Sequence, residues 1–313
     1  MKRKLFYINL YFITILCIIS FALNYINFSK PVFIVYNHSL YIPAIFDYTY
    51  KDFGLSYNLK ADYSDEYFNH HLKKNGYAVY LPSYKHNDYI KPLQFPSKQH
   101  WLGTTRDGKD LLISVLKSIM YIMIFGIVPS IISLFISLLI GILQGYNGKY
   151  YDIFLYRLYE IIISIPFIYV MLFISRLIDL NFIIVCILIG LISWTFLLPY
   201  IRNLALQYKN HPAIVSLESM QVPKYKIMYK YLAKIILNKI YPLLGYMFVS
   251  NNLAIISISF FNIKYLEDDT IGKLLYVGFQ SPFSYEAIFC PLAVFVFFSL
   301  SIINICRVLA NYD

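Results

Sequence analysis

Charged residues fall unevenly along the 313-residue chain, in short clusters separated by long intervals that carry none. A helix needs roughly 20 consecutive apolar residues to cross about 30 Å of hydrocarbon, and by that measure the intervals predict six transmembrane helices. The first lies between Lys4 and Lys30. The second stays uncharged from Ser118 to Gly148, with Gly141, Gly145 and Gly148 marking its exit. The third begins near Tyr151 and carries Arg157 and Glu160 in its first turns, ahead of the clean run from Ile161 to Ser175. The fourth sits between Asp179 and Arg202, the fifth between Lys239 and Lys264, and the sixth between Glu286 and Arg307. The first run is 25 residues long and ends in Asn27-Phe28-Ser29-Lys30-Pro31. A cleaved signal has an apolar region of only about 7–15 residues and a small-residue cleavage site, so residues 1–29 are read as an uncleaved anchor.

Lys and Arg in short loops stay cytoplasmic. The loop over 202–239 holds Arg202, Lys209, Lys224, Lys226, Lys230, Lys234 and Lys239, and basic residues also sit at Lys2–Lys4, Lys149 and Arg307. The opposing short loops balance Arg176, Lys264 and Lys273 against Asp179, Glu267, Asp268, Asp269 and Glu286. Both termini are therefore expected inside, which leaves 30–112 as an extracytoplasmic cap and 113–313 as a five-helix core. Val32–Tyr36 and Tyr77–Pro82 read as short strands within the cap, being aromatic and β-branched between Pro, Asn and Gly.

Composition supports lipid as the solvent: the chain is 59% hydrophobic and 14% charged, whereas soluble domains run near half apolar and a quarter charged. The net charge of +10 would point to nucleic acid in a soluble protein, but its placement in short loops accounts for it by topology, and no nucleic-acid partner is expected. Five of the six histidines, His38, His70, His71, His86 and His100, lie in the cap without ligand spacing, and no metal is expected there. Gly272-Lys273 is followed by Leu274, and a phosphate-cradling loop is missing. The chain is therefore not expected to be an enzyme or to hold a cofactor.

Arg157 and Glu160 share a helix face at i,i+3 and are read as an ion pair at the inner membrane interface; a proton relay is the alternative. Pro129, Pro166 and Pro199 interrupt three spans. In the 202–239 loop, Ile214, Leu217, Met220, Ile227, Met228, Tyr231 and Leu232 recur at near-helical spacing around Pro223. This predicts two short helices meeting near Val222. Such a basic amphipathic loop suits either a membrane surface of anionic lipid or a soluble partner.

Two stretches carry a family resemblance. Trp101-Leu102-Gly103-Thr104-Thr105-Arg106-Asp107-Gly108-Lys109-Asp110 resembles the "LGTDxxGRD" signature ahead of the second helix in C-type permease subunits of dipeptide and oligopeptide ABC importers, with Thr105 and Lys109 in place of Asp and Arg. Gly141-Ile142-Leu143-Gln144-Gly145-Tyr146-Asn147-Gly148, followed by Asp152, Arg157, Glu160 and Pro166, is similar to the next block of that family. Asp52-Phe53-Gly54, Asn75-Gly76 and Phe95-Pro96-Ser97 resemble its microcin C-type branch.

The resemblance implies an all-α integral membrane protein of the type I ABC importer permease fold, with an insertion of mixed structure between helices 1 and 2. It also implies a bacterial inner-membrane location, a heterodimer with a second permease subunit, two ATPase subunits that bind the ATP, and an extracytoplasmic binding protein. The family's "EAA…G" coupling element falls on Val215, Ser216 and Leu217, with its glycine position at Gln221 ahead of Pro223. Gln221 there implies a less strained or shifted turn. Ser216 and Leu217 keep the small-then-apolar character of a helix that fills a groove of the ATPase, and Leu217→Asp is expected to abolish transport with insertion intact. The rivals are a decayed, uncoupled subunit and a stand-alone channel or secondary carrier.

Overall fold

The computed structural model describes residues 2–25, 30–63, 65–79, 95–98, 100–105, 108–178, 180–260, 270–280 and 285–310. The sequence readings of His86, Arg106, Asp107, Asp179, the 261–269 segment and the strand residues after Val79 lie outside these.

In chain order the elements are α1 (Lys2–Tyr25), β1 (Phe33–Tyr36), β2 (Ser39–Tyr41), α2 (Glu66–Asn75), β3 (Gly76–Val79), α3 (Leu111–Asn147), α4 (Lys149–Ser164), α5 (Phe167–Leu177), α6 (Phe182–Tyr208), α7 (Pro212–Ser219), α8 (Lys224–Lys226), a π-helical turn (Ile227–Leu232), α9 (Ala233–Phe260), α10 (Ile271–Phe279) and α11 (Tyr285–Ala310). Among the described residues four helices are long and apolar enough to cross a membrane: α3, α6, the continuous run Lys224–Ser259, and α11. A bent pair, α4 with α5, makes a fifth if counted as one span, and Asn9–Tyr25 in α1 is a shorter apolar helix.

The third predicted span is not one kinked helix. Its halves are bent by 75° at a break, where Ile165 is extended at φ −92°, ψ 116° and Pro166 leads into α5. Proline disfavours helical backbone at the residue before it, and here Ile165 takes the extended alternative. Pro129 and Pro199, by contrast, lie inside unbroken helices. The 202–239 loop is also shorter than its charges imply. Helix α6 runs past Arg202 to Tyr208, and the expected second short helix is the start of the long helix from Lys224. Buried Ile227, Met228, Leu232, Ile236 and Ile240 keep one side of that helix on a single core, so the apolar pattern never stops. What remains of the loop is 209–223, containing α7.

Two compact units account for the contacts: one takes Met1–Ile13, Tyr121–Asp268 and Val294–Asp313, the other Thr14–Met120 and Asp269–Ala293. In the first, a core of Ile142, Leu197, Ile201, Ala205, Ile214 and the buried side of the long helix joins α3, α6, α7 and α9. Helices approach closely where side chains are small, since lipid offers no hydrophobic drive between spans and packing must supply the attraction. A Cβ on Gly145 would lie 2.5 Å from the Cβ of Ala205 and 2.7 Å from the Arg202 carbonyl oxygen. Two turns of hydroxyls reinforce this crossing of α3 with α6: Ser133 Oγ donates to the Gly190 carbonyl at 2.8 Å, and Ser137 Oγ to that of Trp194 at 2.8 Å.

The second unit holds a three-stranded antiparallel sheet in the order β2-β1-β3, with Ile34 opposite both Tyr41 and Ala78. Against it α2 packs Phe68 and Leu72 with Tyr36, Phe53 and Tyr63, and His71 Nε2 lies 3.1 Å from Tyr36 Oη and 3.0 Å from the Phe53 carbonyl. Asp47 bonds both Lys30 and Lys60, and these hydrogen bonds lower its carboxyl to about 2. In the same unit Ser20 of α1 donates to the Lys117 carbonyl at 3.1 Å and accepts from the Met120 amide at 2.8 Å.

Candidate functional site

The motif ahead of α3 is a capping device. Gly103 and Gly108 take φ of +79° and +76°, a region that side chains other than glycine's rarely occupy. Those reversals bring Thr104 opposite Asp110, and the Leu111 amide donates to the Gly103 carbonyl at 3.1 Å. Asp110, 6% exposed, accepts from the Ile113 amide at 3.1 Å through Oδ1 and contacts His100 Nδ1 at 2.9 Å through Oδ2. An aspartate before the first turn satisfies helix amides that otherwise lack partners. Leu102 is only half-buried in the preceding turn. The chemistry of the stretch is thus structural, and the part played by His100 was not visible from its spacing.

At the other end of α3, side chains from three elements converge. Arg202 of α6 makes a fork on Asp152 of α4, Nε to Oδ1 at 2.6 Å and Nη2 to Oδ2 at 2.6 Å, with both side chains about three-quarters buried. The guanidinium also bonds Asn203 Oδ1 at 3.1 Å and lies 5.7 Å from the ring centre of Tyr156. Gln144, fully buried, donates to the Asp152 carbonyl at 3.2 Å. Arg157 and Glu160 do form the expected pair at 2.6 Å, but at 74% and 42% exposure it is a surface contact. The charge pair that ties elements together is Asp152 with Arg202.

Next to it stands α7. His211 caps it, Nδ1 accepting from the Ala213 amide at 3.3 Å, and Pro212 fills the first turn, where its missing N–H costs nothing. Ile214 is 1% exposed, and Leu217 packs on the same core. Leu217 is thus partly buried on the core side of α7. Val215, Ser216, Glu218, Ser219 and Met220 face outward. The Tyr146 hydroxyl at the end of α3 donates to Glu218 Oε1, and the Tyr229 hydroxyl of the π-helical turn donates to the Leu139 carbonyl at 3.2 Å.

The turn after α7 corrects the expectation for Gln221. It is neither relaxed nor shifted: Gln221 adopts φ +59°, and the Val222 amide donates to the Leu217 carbonyl at 3.1 Å. That is the left-handed helix termination which normally selects glycine. Val222 and Leu217 both pack on the core, and this apolar contact holds the turn in register despite the side chain. Pro223 then starts α8. Among the described residues no group of three or more His, Cys, Asp or Glu is placed to hold a metal ion.

Known proteins share this arrangement of sequence. The inner membrane ABC transporter permease protein YejE of Escherichia coli K12 is 25% identical over 279 residues, covering 87% of this chain and 82% of the relative. The peptidoglycan transport system permease protein YejE of Agrobacterium fabrum is 22% identical over 256 residues, 72% of this chain and 67% of the relative. The oligopeptide transport system permease protein OppC of Haemophilus influenzae is 27% identical over 133 residues, 42% of this chain and 43% of the relative. The match to the family of binding-protein-dependent transport system inner membrane components spans residues 137–312, more than half of the chain, and takes in α4 to α11 with the whole Asp152–Arg202 and α7 assembly. The chain belongs to that family.

Proposed function

We propose that the chain is the permease subunit of an ATP-driven importer of peptides or peptide-like compounds, and that α7 carries the motion of a soluble ATPase into the spanning helices. The observation that carries this reading is the anchoring of α7. Its inner face is packed into the core through Ile214 and Leu217, and its outer face is left free, with Glu218 tied to Tyr146 at the end of α3. A force on the free face is therefore delivered to α3, to α6 and to the helix from Lys224 together. An uncoupled, decayed subunit has no need of such anchoring. The names of the relatives support peptides as the cargo class.

In the full reading six helices cross the bacterial inner membrane, α1 and the bent α4–α5 pair included. Both termini are cytoplasmic, and 30–112 lies outside the cell. The complex holds a second permease subunit, two ATPases and an extracytoplasmic binding protein. This chain supplies the path and the linkage; ATP is bound and cleaved by its partners, and no cofactor is held here.

Affinity purification of the tagged chain from its native membrane, followed by mass spectrometry, tests this. Recovery of a second permease and an ATPase in stoichiometric amounts is expected. Recovery of the chain alone, still active in uptake, would establish a stand-alone channel or carrier instead.

A further inference from the structure

Two segments of the second unit expose aromatic rings at one height. Ser20 of α1 donates to the Lys117 carbonyl of α3 at 3.1 Å and accepts from the Met120 amide, and Asn24, one turn on, donates to the same carbonyl at 3.1 Å. Contacts that step forward along α1 step back along α3, so the two helices run antiparallel there. At a helical rise of about 1.5 Å per residue, Tyr25 at the end of α1 lies about 8 Å beyond Ser20, and Leu111 at the start of α3 about 9 Å beyond Lys117 in the same direction. The end of α1 and the start of α3 are therefore nearly level.

Close to that level α1 carries Phe21 and Tyr25, 55% and 66% exposed, with ring centres 4.7 Å apart. The loop that runs into α3 carries Phe95 and Trp101, 70% and 73% exposed. His100 holds this loop in place. Its amide donates to Ser97 Oγ at 3.1 Å, its carbonyl accepts from the Ser97 amide at 2.7 Å and the Gly103 amide at 3.0 Å, and its imidazole contacts Asp110 at the cap of α3. Trp101 and Leu102 are the central residues of the His100–Gly103 turn, and the Gly103 carbonyl accepts from the amide of Leu111. Trp101 is thus two residues from a direct bond to the first residue of α3, and exposed Lys98 stands in the same loop.

We propose that Phe95, Lys98 and Trp101 form a contact with the phospholipid surface of the outer leaflet, the rings at the boundary of headgroup and acyl chain and the ammonium among the phosphates. The inference rests on the reading that α1 and α3 cross the bilayer with 30–112 outside, and adds a lipid contact that this reading does not contain. Aromatic side chains settle at such a boundary because the ring is apolar while the indole N–H of a tryptophan keeps a polar partner. A long lysine side chain lies along the apolar surface and reaches up to the charged layer. A partner protein is the rival cover for exposed aromatics. Two elements that enter the bilayer separately carry them at one level, however, which is the pattern a planar lipid surface imposes.

The test uses the full chain reconstituted in vesicles of phosphatidylcholine and phosphatidylglycerol. The chain has two tryptophans, Trp101 and Trp194, so Trp194→Phe isolates the emission of Trp101. The difference between wild type and Trp101→Phe reports the same signal with the core untouched. Lipids brominated near the headgroup end of the acyl chain are expected to quench Trp101 more than lipids brominated near its methyl end, and aqueous iodide is expected to quench it weakly. Phe95→Ser combined with Lys98→Glu should raise the iodide quenching and lower the quenching by lipid.

Strong iodide quenching with none from either lipid would overturn the proposal. So would protection from iodide that appears only when the extracytoplasmic binding protein is added, which would assign the rings to a protein surface. Lys98→Cys in spheroplasts, treated with a membrane-impermeant maleimide, checks the topology separately. Labelling from outside, above the wild-type background, is expected. Labelling only after lysis overturns the topology and the inference with it, whereas outside labelling without lipid quenching overturns the inference alone.

Discussion

Asp152 and Arg157 both sit on α4 and both form a 2.6 Å ion pair, yet their surroundings differ enough to separate their energetic roles. Arg157 and Glu160 are well exposed, and an exposed pair contributes little, so Arg157→Gln should cost at most about 0.5 kcal/mol. Asp152→Asn breaks a fork that is about three-quarters buried and leaves Arg202 short of its partner. A loss of about 1–3 kcal/mol is expected, discounted from the fully buried case for the remaining exposure. Thermal unfolding of both variants in detergent checks the contrast, and Arg202→Gln combined with Asp152→Asn should cost less than the two singles added.

The exposed pair was legible in the sequence because a helix fixes which residues share a face at i,i+3. The important one was not: Asp152 and Arg202 lie on different helices, and only the meeting of α4 with α6 brings them together. Gln221 is the converse case, where the sequence marked the right position but misjudged the conformation. Its side chain is held at φ +59°, so Gln221→Gly should raise stability by about 0.5–1 kcal/mol, the strain relieved less the extra freedom of glycine in the unfolded chain. A lower melting temperature would show that the turn is held by contacts of the side chain instead.

Among the elements, the spans were the most readable, because lipid demands long uncharged runs and the sequence displays them directly. Boundaries were read less well where charge was taken to end a helix. Arg202 satisfies its charge on Asp152, so α6 continues beyond it; Lys224 and Lys226 are exposed, so the next helix can start among them. The same logic changes what Leu217 means. Partly buried against the core beside Ile214, it is replaced by Asp only at the cost of a carboxylate against apolar side chains. Leu217→Asp is expected to loosen α7 itself, seen as faster amide hydrogen exchange across 212–219 with the spans unaffected. Protection equal to the wild type would mean that the side chain can turn outward. Transport should be lost through that loosening, and not through a missing partner contact.

At the scale of the whole molecule, family membership rests on matched sequence, while the importer reading adds one physical claim: a soluble motor pulls on α7, and α7 is bolted to α3, α6 and the long helix. The substrate class was legible only through resemblance, because spans lined by ordinary apolar side chains carry no readable preference for cargo. The most direct measurement is accumulation of a labelled oligopeptide in cells lacking this chain, with and without its restoration, before and after depletion of ATP. Uptake that is lost without the chain, restored with it and abolished when ATP is depleted at a maintained proton gradient is the expected result. Uptake that persists through ATP depletion and collapses with the gradient would contradict the coupling, and with it the function proposed for α7.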